Sequence, residues 1–235
     1  MMRSSGELNI RQGLAHLSAG GLVQTPMVTP MTKYLCCILL CLISLLSFGA
    51  EFEAGKDYEI IKTAQAHHTP KGAIQVTEFF NYGCPWCYRL EPGLNQWVKQ
   101  QGAKINFKKI PVVFNKDWDY YARAYYTAKA LSLNSTLDSA LFKAILEDKK
   151  SLNNTQNMID FLTNHGVNRA TADSAFNHAP SIELKMSEAQ RKMIEYQINA
   201  VPAIIINNQF KTDLQMAKTE TRLFELLDYL LKKCN

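Results

Sequence analysis

The sequence predicts an α/β fold interrupted by an inserted α-helical subdomain, and three observations predict it. An apolar run over residues 74–80 leads into Cys84-Pro85-Trp86-Cys87 and then into apolar residues of helical period, a strand-to-helix junction with two cysteines at the joint. A second β-like run over residues 105–110 completes a strand–helix–strand unit. From residue 118 to 199 no strand pattern occurs; that is roughly eighty residues, where a crossover needs about a dozen.

The elements follow in order. Residues 1–30 lack periodicity, and Met27 and Met31 offer later starts, so this stretch reads as an over-extended N-terminus. Lys33 precedes an apolar run over 34–46, and Ser47-Phe48-Gly49 supplies small residues at a cleavage site, so 31–49 reads as a secretory signal peptide. The run is short for a membrane span, and Ile38-Leu39-Leu40 before Cys41 argues against an acylated cysteine. The order of elements then divides the rest into a first α/β part at 50–115, an inserted helical part at 116–190, and a second α/β part at 191–235.

Residues 58–61 read as an edge strand and the adjacent His67 and His68 as an exposed loop. The strand at 74–80 is apolar on both faces, as a doubly covered parallel strand should be. Its helix, ending at Gly102, buries Leu90, Leu94, Trp97 and Val98, with Pro92 predicting a kink. Helical spacing recurs at Tyr121, Ala122, Tyr125 and Ala128, at Leu141 and Ile145, and at Ile159 and Leu162, the last helix capped by Asn154 or Thr155 and closed by Gly166. Residues 181–198 read as the longest helix, with Ile182, Met186, Ala189 and Met193 on one face. Pro202 heads an Ile-rich strand that turns at Asn207-Asn208, and 220–233 is an amphipathic helix with Leu223, Leu226, Leu227, Leu230 and Leu231 inward.

Composition is globular: 235 residues, 47% hydrophobic and 20% charged. Of 26 basic and 21 acidic residues, 1–49 hold three and one, which leaves +3 for the rest, too small and dispersed for nucleic acid. Three of the six cysteines fall in the leader. A secreted chain left with one close pair uses it in chemistry and not as a scaffold, and Cys234 reads as a thiol at a frayed end.

That pair carries the function. At a helix N-terminus, free backbone N–H groups and the macrodipole stabilise the Cys84 thiolate, the nucleophile and leaving group of disulfide exchange, and Pro85 suits the first helical position. A zinc site would need a second ligand pair beside scattered His165 and His178, and a four-residue structural disulfide gains little unfolded-state entropy. Period two puts Glu78 on an otherwise apolar face, where burial would raise its pKa, and Lys109 on the next strand is in phase to pair with it beneath the cysteines.

The order strand, Cys-x-x-Cys helix, strand, helices, proline-headed hairpin and closing helix is that of the thioredoxin fold. With Thr77-Glu78-Phe79-Phe80, Cys84-Pro85-Trp86-Cys87-Tyr88 and Ala200-Val201-Pro202-Ala203, the chain from Phe52 onward resembles the DsbA family of periplasmic thiol:disulfide oxidoreductases. The resemblance implies that Cys84 is the exposed nucleophile and Cys87 the buried resolving cysteine. Pro202 would be cis and face them, Val201 would offer its backbone to an extended client strand, and Glu78 and Lys109 would be the buried acid and base. It further implies reduced secreted proteins as clients, a DsbB-like membrane oxidase as partner, and no cofactor or metal. Trp86 stands where the best-known members have histidine, which implies a milder oxidant. The alternatives are an isomerase or reductase, and a redox-inert chaperone binding clients around Trp86, Tyr82 and Pro202.

Overall fold

The computed structural model describes residues 52–62 and 72–234, with backbone alone at 134–136. The leader at 31–49, the stretch before it, and His67 and His68 lie outside the described residues.

Strands β1 (Glu59–Ile60), β2 (Ile74–Phe80), β3 (Ile105–Pro111), β4 (Ala203–Ile206) and β5 (Phe210–Asp213) form one mixed sheet. Its order is β1-β5-β4-β2-β3, with β2 parallel to β3 and the other pairs antiparallel. The register sets Glu78 beside Lys109 on one side and beside Ile204 on the other. β1 is an edge strand, as its sequence predicts.

Helix α1 (Pro85–Gln101) carries the parallel crossover and runs unbroken through Pro92. It ends where Gly102, at φ 55°, turns its N–H back to the Val98 carbonyl. Together with the C-terminal helix it covers one sheet face, where Leu90, Leu94 and Trp97 meet Ile74, Val76, Ile204 and Ile206. The hairpin turns through Asn207 and Asn208, both at positive φ (51° and 57°), the backbone that a type I′ turn demands and asparagine tolerates.

Between β3 and β4 come only helices: α2 (Lys116–Ala130), α3 (Asn134–Phe142, prolonged by a π-turn), α4 (Thr155–Asn164), α5 (Arg169–His178) and α6 (Pro180–Glu195). Asparagine side chains cap three of them, Asn115 from Trp118 N–H, Asn154 from Asn157 N–H and Asn168 from Ala170 N–H, each satisfying a donor the helix leaves open. These helices share a core with Phe80, Tyr82, Cys84 and Cys87, so the inserted part forms a wall of the cysteine site. After β5 come a short turn of helix, α7 (Leu214–Ala217), and α8 (Glu220–Lys233), whose five leucines are buried as expected.

Three details depart from the sequence reading. The helix expected at 181–198 ends at Glu195, and its 16 residues make it shorter than the 17 of α1, because Tyr196 and Ile198 leave the helix to pack on Phe79. α5 escapes notice since only Ala172 and Phe176 of its ten residues are buried. Met186 and Met193 are half-buried, flanking the more deeply covered Ile182 and Ala189.

Candidate active site

The loop from β2 to α1 is held by Asn81, which has no exposed surface. Its amide donates to the carbonyls of Val112 (2.8 Å) and Trp118 (3.2 Å), and its side-chain oxygen accepts the Gly83 N–H at 2.9 Å. Gly83 is required by close approach: a Cβ there would lie 2.4 Å from the Trp118 indole nitrogen. The loop delivers Cys84 to the N-cap of α1, with Pro85 at the first helical position.

The cysteine thiols are in sharply different settings. Cys84 Sγ accepts the Cys87 N–H at 3.2 Å, and the hydrogen bond from the Cys87 side chain, helped by the backbone N–H groups of Cys87 and Trp86, holds its pKa below the ordinary thiol value against the effect of burial. Cys87 is wholly buried, and burial pushes its thiol well up, reinforced by Cys84 and Glu78.

Cys84 was expected to be exposed, but retains only 4% exposure against 0% for Cys87. The cause is the loop before β4: the Val201 carbonyl lies 3.4 Å from Cys84 Sγ, and the Val201–Pro202 peptide is cis. Trp86 points outward instead, 58% exposed, with the Arg89 guanidinium 5.6 Å from its ring centre and Arg89 bonded to Glu220 at 2.9 Å. Trp86, Arg89, Val201, Pro202, Leu214 and Glu220 line a cleft of ≈ 550 Å³. Tyr82 and Pro202 are buried, so of the three residues considered for a client-binding surface only Trp86 is exposed.

Beneath the cysteines Lys109 meets three carboxylates. The expected Glu78–Lys109 pair is present at 3.8 Å, but the hydrogen bonds of Lys109 go to Glu91, at 2.8 and 3.0 Å, and Asp138 lies 3.7 Å away. Register places Glu78 and Lys109 side by side, and Glu91, one turn beyond Cys87 on α1, reaches the ammonium first. Glu78 is left wholly buried with neither carboxylate oxygen hydrogen-bonded. Burial, opposed by Lys109 and augmented by Glu91 and Asp138, pushes its pKa up to about 8, so Glu78 holds a proton at neutral pH. Burial alone would lower the Lys109 pKa; Glu78, Glu91 and Asp138 outweigh it and raise it.

The structure thus brings Cys84, Cys87, Pro85, Val201 and Pro202 together, with Glu78 and Lys109 behind them and Trp86 on the rim. Glu91, Asp138 and Tyr82, which donates to Asp138, are additions. Spacing could have found Glu91, four residues from Cys87 on the same helix face. Among the described residues no group of three or more His, Cys, Asp or Glu is arranged to hold a metal ion.

The family model for the DSBA-like thioredoxin domain matches residues 75–230. The chain belongs to the DsbA-like thioredoxin-domain family. Among curated relatives, the thiol:disulfide interchange protein DsbA of Burkholderia cepacia is 33% identical over 180 residues, covering 77% of this chain and 84% of the relative. That of Pseudomonas aeruginosa is 29% identical over 198 residues, covering 83% and 93%. The crystal structure of Pseudomonas aeruginosa DsbA superposes with a TM-score of 0.72 at 30% identity, over 77% of this chain and 94% of that one. The DsbA of Xylella fastidiosa gives 0.70 at 26% identity. This DsbA-family chain is a thiol:disulfide oxidoreductase with a thioredoxin-like fold and a helical insertion.

Proposed function

We propose that Cys84 and Cys87 are the redox pair through which this DsbA-family chain donates a disulfide to reduced secreted proteins. A client thiolate attacks Cys84 Sγ; the Cys84–Cys87 bond breaks, and Cys87 leaves as a thiolate that takes the proton of Glu78. A second client thiolate then attacks the client sulfur of the mixed disulfide, and Cys84 leaves as a thiolate. The client has lost two electrons and the enzyme pair has gained them. A DsbB-like membrane oxidase accepts those electrons and restores the disulfide.

The observation that carries this reading is the asymmetry of the pair. Cys84, at a helix N-cap with a lowered pKa, is the better leaving group, and Cys87, buried with a raised pKa, is the thiol that needs a proton supplied. A disulfide whose reduced form contains a stabilised thiolate is an oxidant. The half-buried Val201, beside Cys84, offers its backbone to an extended client chain, and the cleft under Trp86 receives what flanks the client cysteine. The site of action is the periplasm, reached through the leader at 31–49, which is removed; the helical part at 116–190 is the insertion. Among the described residues no helix is long and apolar enough to cross a membrane.

Trapping tests the assignment. Given a client peptide whose cysteine is activated as a mixed disulfide with thionitrobenzoate, Cys87→Ala should accumulate a Cys84–client disulfide as Cys84 displaces thionitrobenzoate, seen as a reductant-sensitive mass adduct. Cys84→Ala should accumulate none, and an adduct on Cys87 instead would reverse the roles.

A further inference from the structure

One carboxylate of the buried cluster comes from the helical insertion, and its position has a consequence for Glu78. An ammonium carries three hydrogens. Two of those on Lys109 are taken by the oxygens of Glu91, at 2.8 and 3.0 Å. The third is contested by Asp138 Oδ2 at 3.7 Å and Glu78 Oε2 at 3.8 Å. Asp138 is held in the contest by the hydroxyl of Tyr82, a wholly buried ring packed edge-on against Phe80 and Phe142. Glu78, with no such support, makes no hydrogen bond at all.

We propose that Asp138 is a positioning residue of the redox site: by competing for Lys109 it keeps Glu78 unpartnered and protonated, ready to supply the leaving Cys87. The inference rests on the proton-donor role assigned to Glu78 above. The groups whose charge bears on Glu78 come from each surrounding element: Lys109 from β3, Glu91 and Cys84 from α1 and its cap, and Asp138 from α3. Cys87 on α1 and Tyr125 on α2 respond to the charge of Glu78 in turn. Of the charged groups, Asp138 is the one that the inserted helices contribute. The Asp138 side chain keeps 18% exposure where that of Glu78 has none, so solvent supports the charge of Asp138 and not that of Glu78.

The test is Asp138→Asn, which keeps the shape and the acceptor for Tyr82, removes the charge and puts an amide donor where an oxygen faces Lys109. The reduced protein, labelled with ¹³C at glutamate carboxyls, is titrated by NMR, with the Glu78 signal assigned by its loss in Glu78→Gln. The Glu78 midpoint should fall by about one pH unit or more as Lys109 turns to it. The rate at which dithiothreitol reduces the disulfide, taken relative to wild type, should fall roughly three- to tenfold near neutral pH, with Asp138→Glu restoring both. Tyr82→Phe, which keeps the carboxylate at 138 but removes the hydroxyl that holds it, should lower the midpoint by less than Asp138→Asn does. An unmoved midpoint in Asp138→Asn, or a larger fall in Tyr82→Phe, would overturn the proposal while leaving disulfide exchange intact. Failure of the wild-type protein to exchange disulfides at all would instead strike the functional reading, since the carboxyl titration does not depend on turnover.

Discussion

Replacing Glu78 by Gln should make the protein's stability less sensitive to pH, in a direction opposite to that of an ordinary ion pair. A wholly buried carboxyl with its pKa raised from 4.5 to about 8 is protonated in the folded state while the unfolded chain has already ionised. Below the unfolded value both states hold the proton and Glu78 adds no cost that depends on pH. As pH climbs from 4.5 to 8 the unfolded state is favoured progressively, and the cost levels off above 8. That gap, at ~1.4 kcal/mol for each pH unit, gives up to ~5 kcal/mol of stability that wild type loses across the window. Glutamine carries a constant penalty of about 1–3 kcal/mol for a buried amide without a partner, the same at every pH. Urea denaturation of both reduced proteins from pH 4 to 9 should therefore show wild type equal or superior at the acid end and falling behind the variant by at least ~2 kcal/mol at the alkaline end. Parallel curves would mean that Glu78 has no perturbed titration. Wild type gaining on the variant as pH rises would mean that Glu78 is an ionised partner of Lys109, and the proton-donor argument would fall.

Two further outcomes follow from the geometry of the cysteine loop. The thiolate absorbance of Cys84 should titrate below the ordinary thiol range in the reduced protein, and its midpoint should rise in Cys87→Ala, because the Cys87 side chain is the foremost group lowering it; an unchanged midpoint would assign the effect to the helix terminus alone. Gly83→Ala should cost about 1–3 kcal/mol in denaturant unfolding, since its methyl group meets the Trp118 indole, and a stability equal to wild type would show that the ring yields freely.

Local chemistry made much of this molecule legible in the sequence. Strand β2, the proline at the head of α1, the turn at Asn207 and Asn208, and the leucine face of α8 each announce themselves within a few residues, because burial on a strand or helix imposes a short period and a left-handed turn favours asparagine. The Cys84–Cys87 spacing at a helix start points to disulfide exchange on equally local grounds, a thiol at a helix N-terminus with a second thiol within reach. What could not be read depends on residues distant in the chain. That Glu91 and not Glu78 takes the hydrogen bonds of Lys109 depends on how α1 lies across β3. The low exposure of Cys84 depends on a carbonyl 117 residues away. Asp138 lies in a helix whose Asn134-Ser135-Thr136 start carries no apolar signal, so nothing nearby marks it as part of a buried cluster.

The central claim is that the Cys84–Cys87 disulfide is a donor, and the reduction potential of that pair tests it most directly. Purified protein without its leader would be equilibrated in graded mixtures of reduced and oxidised glutathione and the reduced fraction counted by thiol alkylation. The account predicts a pair more oxidising than glutathione, with the reduced form more resistant to denaturant than the oxidised form, as a stabilised Cys84 thiolate requires. A potential as low as that of thioredoxin, roughly −270 mV, with the oxidised form the more stable, would contradict it.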